Sequence, residues 1–489
     1  MNRNKRCALE TLSVAWPLVN WRKAYSEVES LQSRIVKATK EGRHNKAKAL
    51  QWLLTHSYTA KLLAVKRVTE NKGKKTAGVD GVIWKTSSQK LKAVGTLKRI
   101  GYKAKPLKRV YILKKNGKKR PLGIPTMRDR AMQALYLMAL DPIAETKADT
   151  CSYGFRKRRG CADAIARSFI HLSRPDSATW ILEGDIKGCF DHISHQWLMN
   201  NIPIDKRVLN QWLKAGFIEG KQLFPTSEGT PQGGIISPAL ANMTLDGLEH
   251  HINMAARGKV RGEGFVKRNK HKLHLIRYAD DFVVTASNPD ILIEKVKPAI
   301  EMFLSERGLI LSEEKTIITN ISEGYDFLGQ NVRKYKDVLL IKPSDASFAS
   351  IKSKVKDIVD KNRGTNAADL IGQLNPVIRG WCNYHRNVAA KDTFAKLDDY
   401  IFRILWGWAV GMHPNKRRTW IRKTYFKTIG RQNWRFAALC GKSVQVSIFK
   451  AMSIPIVRYK LIKGDANPYD QEWSNYFASR GKKVYKFPQ

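Results

Sequence analysis

The chain has 489 residues, 43% of them hydrophobic, enough apolar material for roughly two to four domains with buried cores. Its 88 Lys and Arg face 42 Asp and Glu, a formal net charge of +46, and a field of that sign calls for a polyanionic partner. The cations are spread along the chain among 13 Trp and 16 Tyr, which favours nucleic acid over a membrane surface; no apolar run is long enough to span a bilayer, and six scattered Cys without a CxxC pair exclude a disulfide framework and a thiolate zinc site.

The N-terminus, MNRNKRCALETLSVAWPLVNW, sets a basic cluster before an apolar stretch. Glu10 and Pro17 interrupt that stretch and no small-residue cleavage site follows, so it reads as mature protein. Residues 21–68 carry helical periodicity: Val28, Leu31 and Ile35 share a face, Gly42 breaks it, and Leu50, Leu53 and Leu54 resume it. Arg34, Lys37, Lys40, Arg43, Lys46 and Lys48 decorate this stretch, either as a solvated face or as a nucleic-acid surface. Asn71 to Gly81 is a Gly-rich basic loop. Val110 to Leu113 reads as a strand, and Lys114 to Pro125 as a hairpin turning at Asn116-Gly117.

TWILEGDIKGCFDHI, Thr179 to Ile193, is a buried-type strand that runs into Asp185. LHLIRYADDFVVTA, Leu273 to Ala286, is two β-rich runs joined through Ala279, Asp280 and Asp281. A helix begins near Pro289 and stops at Gly308, and GLIL, Gly308 to Leu311, follows as a strand. Mixed strands and helices give way after about residue 335 to a helical, Trp-rich, basic remainder without internal repeats.

Template-directed nucleotide addition needs two divalent cations close together, one to acidify the primer 3′-hydroxyl and one to neutralise the triphosphate and leaving group. Mg2+ prefers carboxylate and phosphate oxygens, so two or three carboxylates must meet at one point. A strand ending in Asp185 beside a hairpin tipped by Asp280 and Asp281 does that. Between two apolar strands such a pair would be destabilised by desolvation and mutual repulsion unless a cation joined it.

YADD, Tyr278 to Asp281, resembles the catalytic box of reverse transcriptases. DIKGCFD (Asp185 to Asp191), SYGFRKRRGCADA (Ser152 to Ala164) and GTPQGGIISPALANMTLDGLE (Gly229 to Glu249) resemble its companion blocks in the proteins encoded by group II introns. RPLGIPT (Arg120 to Thr126) and GLILSEEKT (Gly308 to Thr316) occur in matching order, and NPVIRGWCNYHR (Asn375 to Arg386) and HPNKRRTWIRKTYF (His413 to Phe426) resemble the maturase region. The likeness covers nearly the whole chain.

The resemblance implies an α+β right-hand polymerase: a helical N-terminal extension at 1–70, fingers and palm at 71–335, a thumb and maturase X domain at 336–410, and a helical, basic DNA-binding region at 411–489. It implies two Mg2+ ions on Asp185, Asp280 and Asp281, with Lys315 protonating the departing pyrophosphate. Lys114 and Arg120 would grip the incoming dNTP, Gln232 would hold nucleotide and template, and Phe190 would close the space below the 2′-carbon. Arg379, Arg386, Lys416, Arg417, Arg418 and Arg422 would contact nucleic acid, while Trp420 reads equally as a core aromatic. The implied function is RNA-directed DNA synthesis joined to splicing and retrohoming of a host intron RNA. The partners are that RNA, a DNA primer on an RNA template and target DNA, with no membrane. The setting is bacterial cytoplasm or nucleoid, or an organellar matrix or stroma. Many relatives continue past a segment like ANPYDQEWSNYF into a Cys/His-rich HNH nuclease domain; no CxxC and no His occur in the last 70 residues here, so such a domain is not expected. A splicing factor with a relic polymerase, and a reverse transcriptase co-opted for defence or repair, remain alternatives.

Overall fold

The computed structural model describes residues 16–113, 117, 119–220, 222–257, 269–430, 432–440 and 444–481. They form two compact units. Unit 1 comprises residues 1–160, 182–318 and 462–489, and unit 2 comprises 161–181 and 319–461. The expected sequential ranges therefore do not coincide with the packing. In particular the stretch 411–489 is divided, its part from Ile462 onward belonging to unit 1. Among the described residues no helix is long and apolar enough to cross a membrane.

The N-terminal part of unit 1 contains the helices Trp21–Lys40, His44–His56 and Tyr58–Glu70. Asn20 caps the first through its side chain, Gly42 breaks the chain at φ +66°, and Ser57 caps the third. Their apolar faces pack on the helix Met127–Lys147, which is buried nearly all round and therefore central to the unit. That helix contains Pro142, whose missing N–H deprives the Met138 carbonyl of its partner one turn earlier. The Gln32 side chain replaces the lost donor at 2.8 Å. Arg130, on the same helix, donates to the carbonyls of Gly73 and Thr76 and so fastens the Gly-rich basic loop.

Two further sheets are built largely from unit 1. Strands β1 (Leu107–Leu113) and β2 (Lys119–Ile124) pair antiparallel from Lys108↔Ile124 to Leu113↔Lys119, forming the expected hairpin. β3 is Trp180–Gly184, and β4 (Phe217–Glu219) and β5 (Gln222–Phe224) extend the first sheet in the order β2-β1-β4-β5. β6 (His274–Tyr278) and β7 (Asp281–Ala286) pair antiparallel and join β3 and β8 (Ile317–Asn320) in the order β6-β7-β3-β8. The expected helix from Pro289 is three pieces, with a π turn at Leu292–Val296 before Lys297–Ser305. Pro298 cannot donate to the Glu294 carbonyl, which accounts for the widened turn. Gly308 to Leu311 is not a strand: it makes one isolated bridge, Ile186↔Leu311, because Gly308 turns at φ +73° against the backbone of His192 and Ser194.

Unit 2 carries β9 (Tyr325–Phe327), β10 (Gln330–Tyr335) and β11 (Val338–Pro343) as an antiparallel sheet, then the helices Asp345–Lys361, Ala367–His385 and Lys391–Met412. After the helix Arg418–Tyr425 the chain does not continue as the helix that its sequence suggested, and α-helix returns only at Ser474–Gly481. The chain forms a second antiparallel sheet of β12 (Phe426–Ile429), β13 (Gln432–Cys440) and β14 (Val444–Ser447). Phe426 and Phe436 face each other across it, both buried, and the basic residues between them hide the alternation.

The loop leading out of the long helix locks onto the β6–β7 hairpin. Tyr153 donates its N–H to the Arg277 carbonyl at 2.9 Å and Arg277 donates to the Cys151 carbonyl at 3.0 Å. A Cβ on Gly154 would lie 2.4 Å from the Ala279 nitrogen. Gly154→Ala is therefore expected to cost about 1–3 kcal/mol of stability. Gly95→Ala, in a helix with nothing within 4 Å, should gain about 0.5–1 kcal/mol. Urea unfolding of both variants checks the pair; equal and small shifts would contradict the close approach.

Candidate active site

A Cβ on Gly184, the last residue of β3, would collide with the Phe282 ring at 2.3 Å, so glycine lets β3 and β7 approach closely. Asp185 then leaves the strand end beside the two-residue turn Ala279-Asp280, where Ala279 stands at φ +58°. The Asp185 carbonyl accepts from the Ser312 N–H at 2.8 Å, and its Oδ2 accepts from Lys315 Nζ at 2.6 Å. Burial raises the Asp280 carboxyl, and the Asp185 charge adds to that. Burial followed by the charges of Asp280 and Asp185 pushes Asp281 up to about 6. Its hydrogen bond to Asp185 keeps the Lys315 ammonium charged by raising its pKa.

Among the described residues no three His, Cys, Asp or Glu side chains already enclose a point as ligands of one ion would. The donor chemistry nevertheless fits a hard divalent cation. Three carboxyl groups repel one another and have Lys315 as a shared countercharge, and all are oxygen donors. The cavity in front of them measures about 630 Å³ and is lined by Arg120, Asp185, Phe190, Gln232, Asp280 and Lys315, so six residues singled out in the sequence meet there. Lys114 lies outside the described residues.

The polar chain across this cavity is continuous. Arg120 Nε donates to Gln232 Oε1 at 2.9 Å, and Gln232 Nε2 donates to Asp191 Oδ2 at 2.8 Å. Gly123 of β2 donates to the Gln232 carbonyl at 2.8 Å, and Gly233, at φ +117°, leaves room for the Gly123 carbonyl where a Cβ would stand 2.8 Å away. The hairpin is thus stitched to the Pro231-Gln232-Gly233 loop. Phe190 sits in the short helix Cys189–His192, with its carbonyl held by the Thr230 N–H at 2.6 Å and its ring edge-on to Phe155 at 6.2 Å.

Two participants escaped the sequence reading. Asp191 was inside a quoted block but given no part. Arg277 is wholly buried, donating to Asp246 Oδ1 at 2.6 Å and to Asn242 Oδ1 at 3.3 Å. A charged residue in the middle of an apolar strand was the available signal. Burial raises the Asp246 carboxyl while Arg277 pulls it down.

The basic residues expected to touch nucleic acid all lie in unit 2. Arg379 lies over the Phe449 ring at 4.9 Å and Arg386 is half-buried. Lys416, Arg417 and Arg418 are exposed at the start of the helix Arg418–Tyr425, with Lys416 5.6 Å from the Trp420 ring centre and Arg422 5.4 Å from that of Trp434. Trp420 is 39% exposed, which makes it a surface aromatic rather than a core one.

Carboxylates at a strand end and a hairpin turn, facing a basic two-stranded hairpin across a cavity, are the palm and fingers of a polymerase. Residues 112–332 match the family of reverse transcriptases (RNA-dependent DNA polymerases), residues 16–97 the N-terminal domain of reverse transcriptase, and residues 348–426 the maturase-specific domain of group II introns. The chain is 34% identical over 331 residues to the group II intron-encoded protein LtrA of Lactococcus lactis subsp. cremoris, covering 55% of this chain and 54% of that one. It is 34% identical over 299 residues to protein YkfC of Escherichia coli (strain K12), covering 54% of this chain and 78% of that one. Telomerase from Candida albicans is a weak structural likeness, with a TM-score of 0.35 and 11% identity over 65% of this chain and 64% of the other. The chain belongs to the family of group II intron-encoded reverse transcriptases. Its match spans about half the length of the Lactococcus relative.

The raised Asp281 carboxyl has a consequence for stability. The folded chain holds that proton more tightly than the unfolded one, so this stabilisation is full below the ordinary value of 3.8 and is lost as pH rises through about 6. Asp281→Asn escapes the loss. Without divalent ions it should melt above the wild type at pH about 7, with the gap closing toward pH about 4. Added Mg2+ should raise the wild type alone. A gap independent of pH in calorimetric scans would contradict the crowding of these carboxylates.

Proposed function

We propose that the chain is an RNA-directed DNA polymerase that also binds the RNA of a host group II intron and assists its splicing and retrohoming. The observation that carries the polymerase reading is the meeting of Asp185, Asp280, Lys315, Arg120, Phe190 and Gln232 around one cavity, with Asp281 within reach of the Asp185 and Asp280 charges. Asp185, Asp280 and Asp281 would hold two Mg2+ ions, which supply charge neutralisation for the triphosphate and acidification of the primer hydroxyl.

The chain's own residues do the rest. Among the described residues only the Arg120 Nε is engaged, by Gln232, and its remaining guanidinium nitrogens suit the phosphates of an incoming dNTP. Gln232 is oriented from both sides, by Arg120 and by Asp191, so it meets nucleotide or template without first losing rotamer freedom. Phe190, fixed by Thr230 and Phe155, offers a flat ring below the sugar. Lys315 stays protonated beside Asp185 and donates that proton to the departing pyrophosphate.

RNA binding draws on other surfaces. The helix His44–His56 carries an exposed Trp52 stacked on His56 at 4.2 Å, beside a cavity of about 570 Å³ bordered by Lys48, Lys147, Lys206 and Arg207. In unit 2, Lys416 lies over the exposed Trp420, and Arg417 and Arg418 are exposed beside it in the chain. Cations with exposed aromatics suit structured RNA and RNA–DNA hybrids, which are read through backbone and stacking. The relatives LtrA and YkfC are bacterial, and a bacterial cytoplasm or nucleoid is where intron RNA and target DNA would meet.

Asp280→Asn should abolish primer extension on an RNA template and leave RNA affinity intact. Replacing Lys416, Arg417 and Arg418 together by Ala should do the opposite, lowering the log–log salt slope of binding by about 0.9 per lost phosphate contact while short preannealed primers still extend at low salt. Wild-type extension by Asp280→Asn would end the polymerase reading, and unchanged binding by the triple variant would end the surface assignment. Phe190→Val should admit ribonucleotides roughly tenfold more readily than the wild type. Single-nucleotide incorporation with dNTP and rNTP in parallel measures it, and an unchanged ratio would return Phe190 to a packing role.

A further inference from the structure

The segment after Ile462 packs within unit 1 through specific polar contacts. Tyr469 Oη donates to Asp141 Oδ2 at 2.9 Å and Asn467 Nδ2 to Thr146 Oγ1 at 3.0 Å, both on the helix Met127–Lys147. Lys40 Nζ meets Asp470 Oδ2 at 2.6 Å. Arg159 Nη2 donates to the carbonyls of Gly464 at 2.7 Å and Ala466 at 3.3 Å, and Lys157 Nζ lies 4.7 Å from the Tyr469 ring centre. Ala466 and Asn467 are buried.

Arg159 and Lys157 belong to one short loop, and that loop meets Phe190, which lines the polymerase cavity. Arg156 forks onto Glu145 at 2.8 and 2.7 Å, and Arg159 shares the same carboxylate. Phe155 and Arg158 stand at φ +57° and +66°, a conformation that L-residues disfavour, so side-chain anchors must hold the path. At its start Gly154 abuts the Tyr278–Ala279 backbone, and the Phe155 ring meets Phe190 edge-on.

We propose that residues 464–470 are a positioning strap for the polymerase centre, holding the loop 155–159 and through it Phe155 against Phe190 and Gly154 against the Tyr278–Ala279 turn. Tyr469 is its principal positioning residue. The inference rests on the polymerase reading above, and it takes this stretch out of the DNA-binding role that its sequence context suggested. The Asp141 carboxyl is buried, and the Tyr469 hydroxyl is the hydrogen-bond donor that eases its ionisation, so loss of the ring removes both a donor and the seat of Lys157. A shift of the loop would be felt at Phe190, where sugar discrimination is made, without any change in the cations that bind nucleic acid.

The test uses the full chain with Tyr469→Ala and Tyr469→Phe, a preannealed DNA primer on an RNA template, and hydrogen exchange of residues 152–159 and 278–281. Tyr469→Ala should raise the dNTP KM and narrow the dNTP-over-rNTP preference, each by roughly tenfold, with primer–template Kd unchanged and exchange in both segments faster. Tyr469→Phe, which keeps the ring under Lys157, should recover most of the loss. Wild-type KM, preference and exchange in a folded Tyr469→Ala protein would overturn the strap. So would weakened primer–template binding with dNTP parameters and exchange unchanged, since that is the behaviour of a DNA-binding tail. A wild-type chain that extends no primer would instead remove the polymerase reading, and the exchange comparison would still decide whether the strap holds the loop.

Discussion

Crowding three carboxyl groups at one point is the constraint that the rest of unit 1 serves. Water opposes it through desolvation, and the groups oppose it through repulsion, as the raised Asp280 and Asp281 carboxyls record. Close backbone approach makes the crowding possible. Gly184 admits the Phe282 ring, and Gly154 admits the Ala279 backbone. Behind the hairpin Arg277 is locked to Asp246, Asn242 and the loop 151–153, so β6 cannot slide and carry Asp280 away. A one-residue slip of β6 against β7 would put Arg277 on the opposite face of the sheet, unpaired.

The Arg120 side of the cavity follows a different logic, because its groups are held in place rather than compressed. Arg120, Gln232 and Asp191 form a hydrogen-bonded row, and the backbone under that row is sewn by Gly123 to Gln232. Fixing such a row beforehand spares the rotamer entropy that a free Arg or Gln would lose on meeting a ligand. Gly233 is needed where it stands, since any side chain there would push the Gly123 carbonyl and separate the hairpin from the loop.

What was legible in the sequence followed from local pattern. The strand into Asp185, the hairpin across Ala279 and Asp280, the helical character of 21–68 and its break at Gly42 each announce themselves within about a dozen residues by periodicity or turn chemistry, whereas the second break at Ser57 was not read. Gly308 to Leu311 misled because its apolar run is that of a strand, whereas its packing allows one bridge. The sheet of β12, β13 and β14 was hidden because Lys427 and Arg435, paired beside the buried Phe426 and Phe436, break up the apolar alternation. The contacts of Tyr469 with Asp141 and of Arg159 with Gly464 span more than three hundred residues and leave no periodic trace. Arg277 was visible as a charge in an apolar strand, but only the structure supplies Asp246 as its partner.

The net charge of +46 also reads differently once partners are known. Several cations are structural. Arg156 and Arg159 share Glu145, Arg277 takes Asp246, and Arg130 and Lys334 satisfy backbone carbonyls. Those paired with carboxylates contribute little to the outer field, whereas Arg130 and Lys334 keep their charge even though their donors are engaged. The long-range attraction for a polyanion therefore exceeds the number of side chains able to touch a phosphate. Steering and contact are separate tasks here, and residues such as Lys416, Arg417 and Arg418, exposed beside Trp420, are equipped for both. A charge count alone would have credited Arg156 and Arg159 with nucleic-acid contact, although their side chains are 6% and 1% exposed and hold the loop that runs to the Tyr278–Ala279 turn.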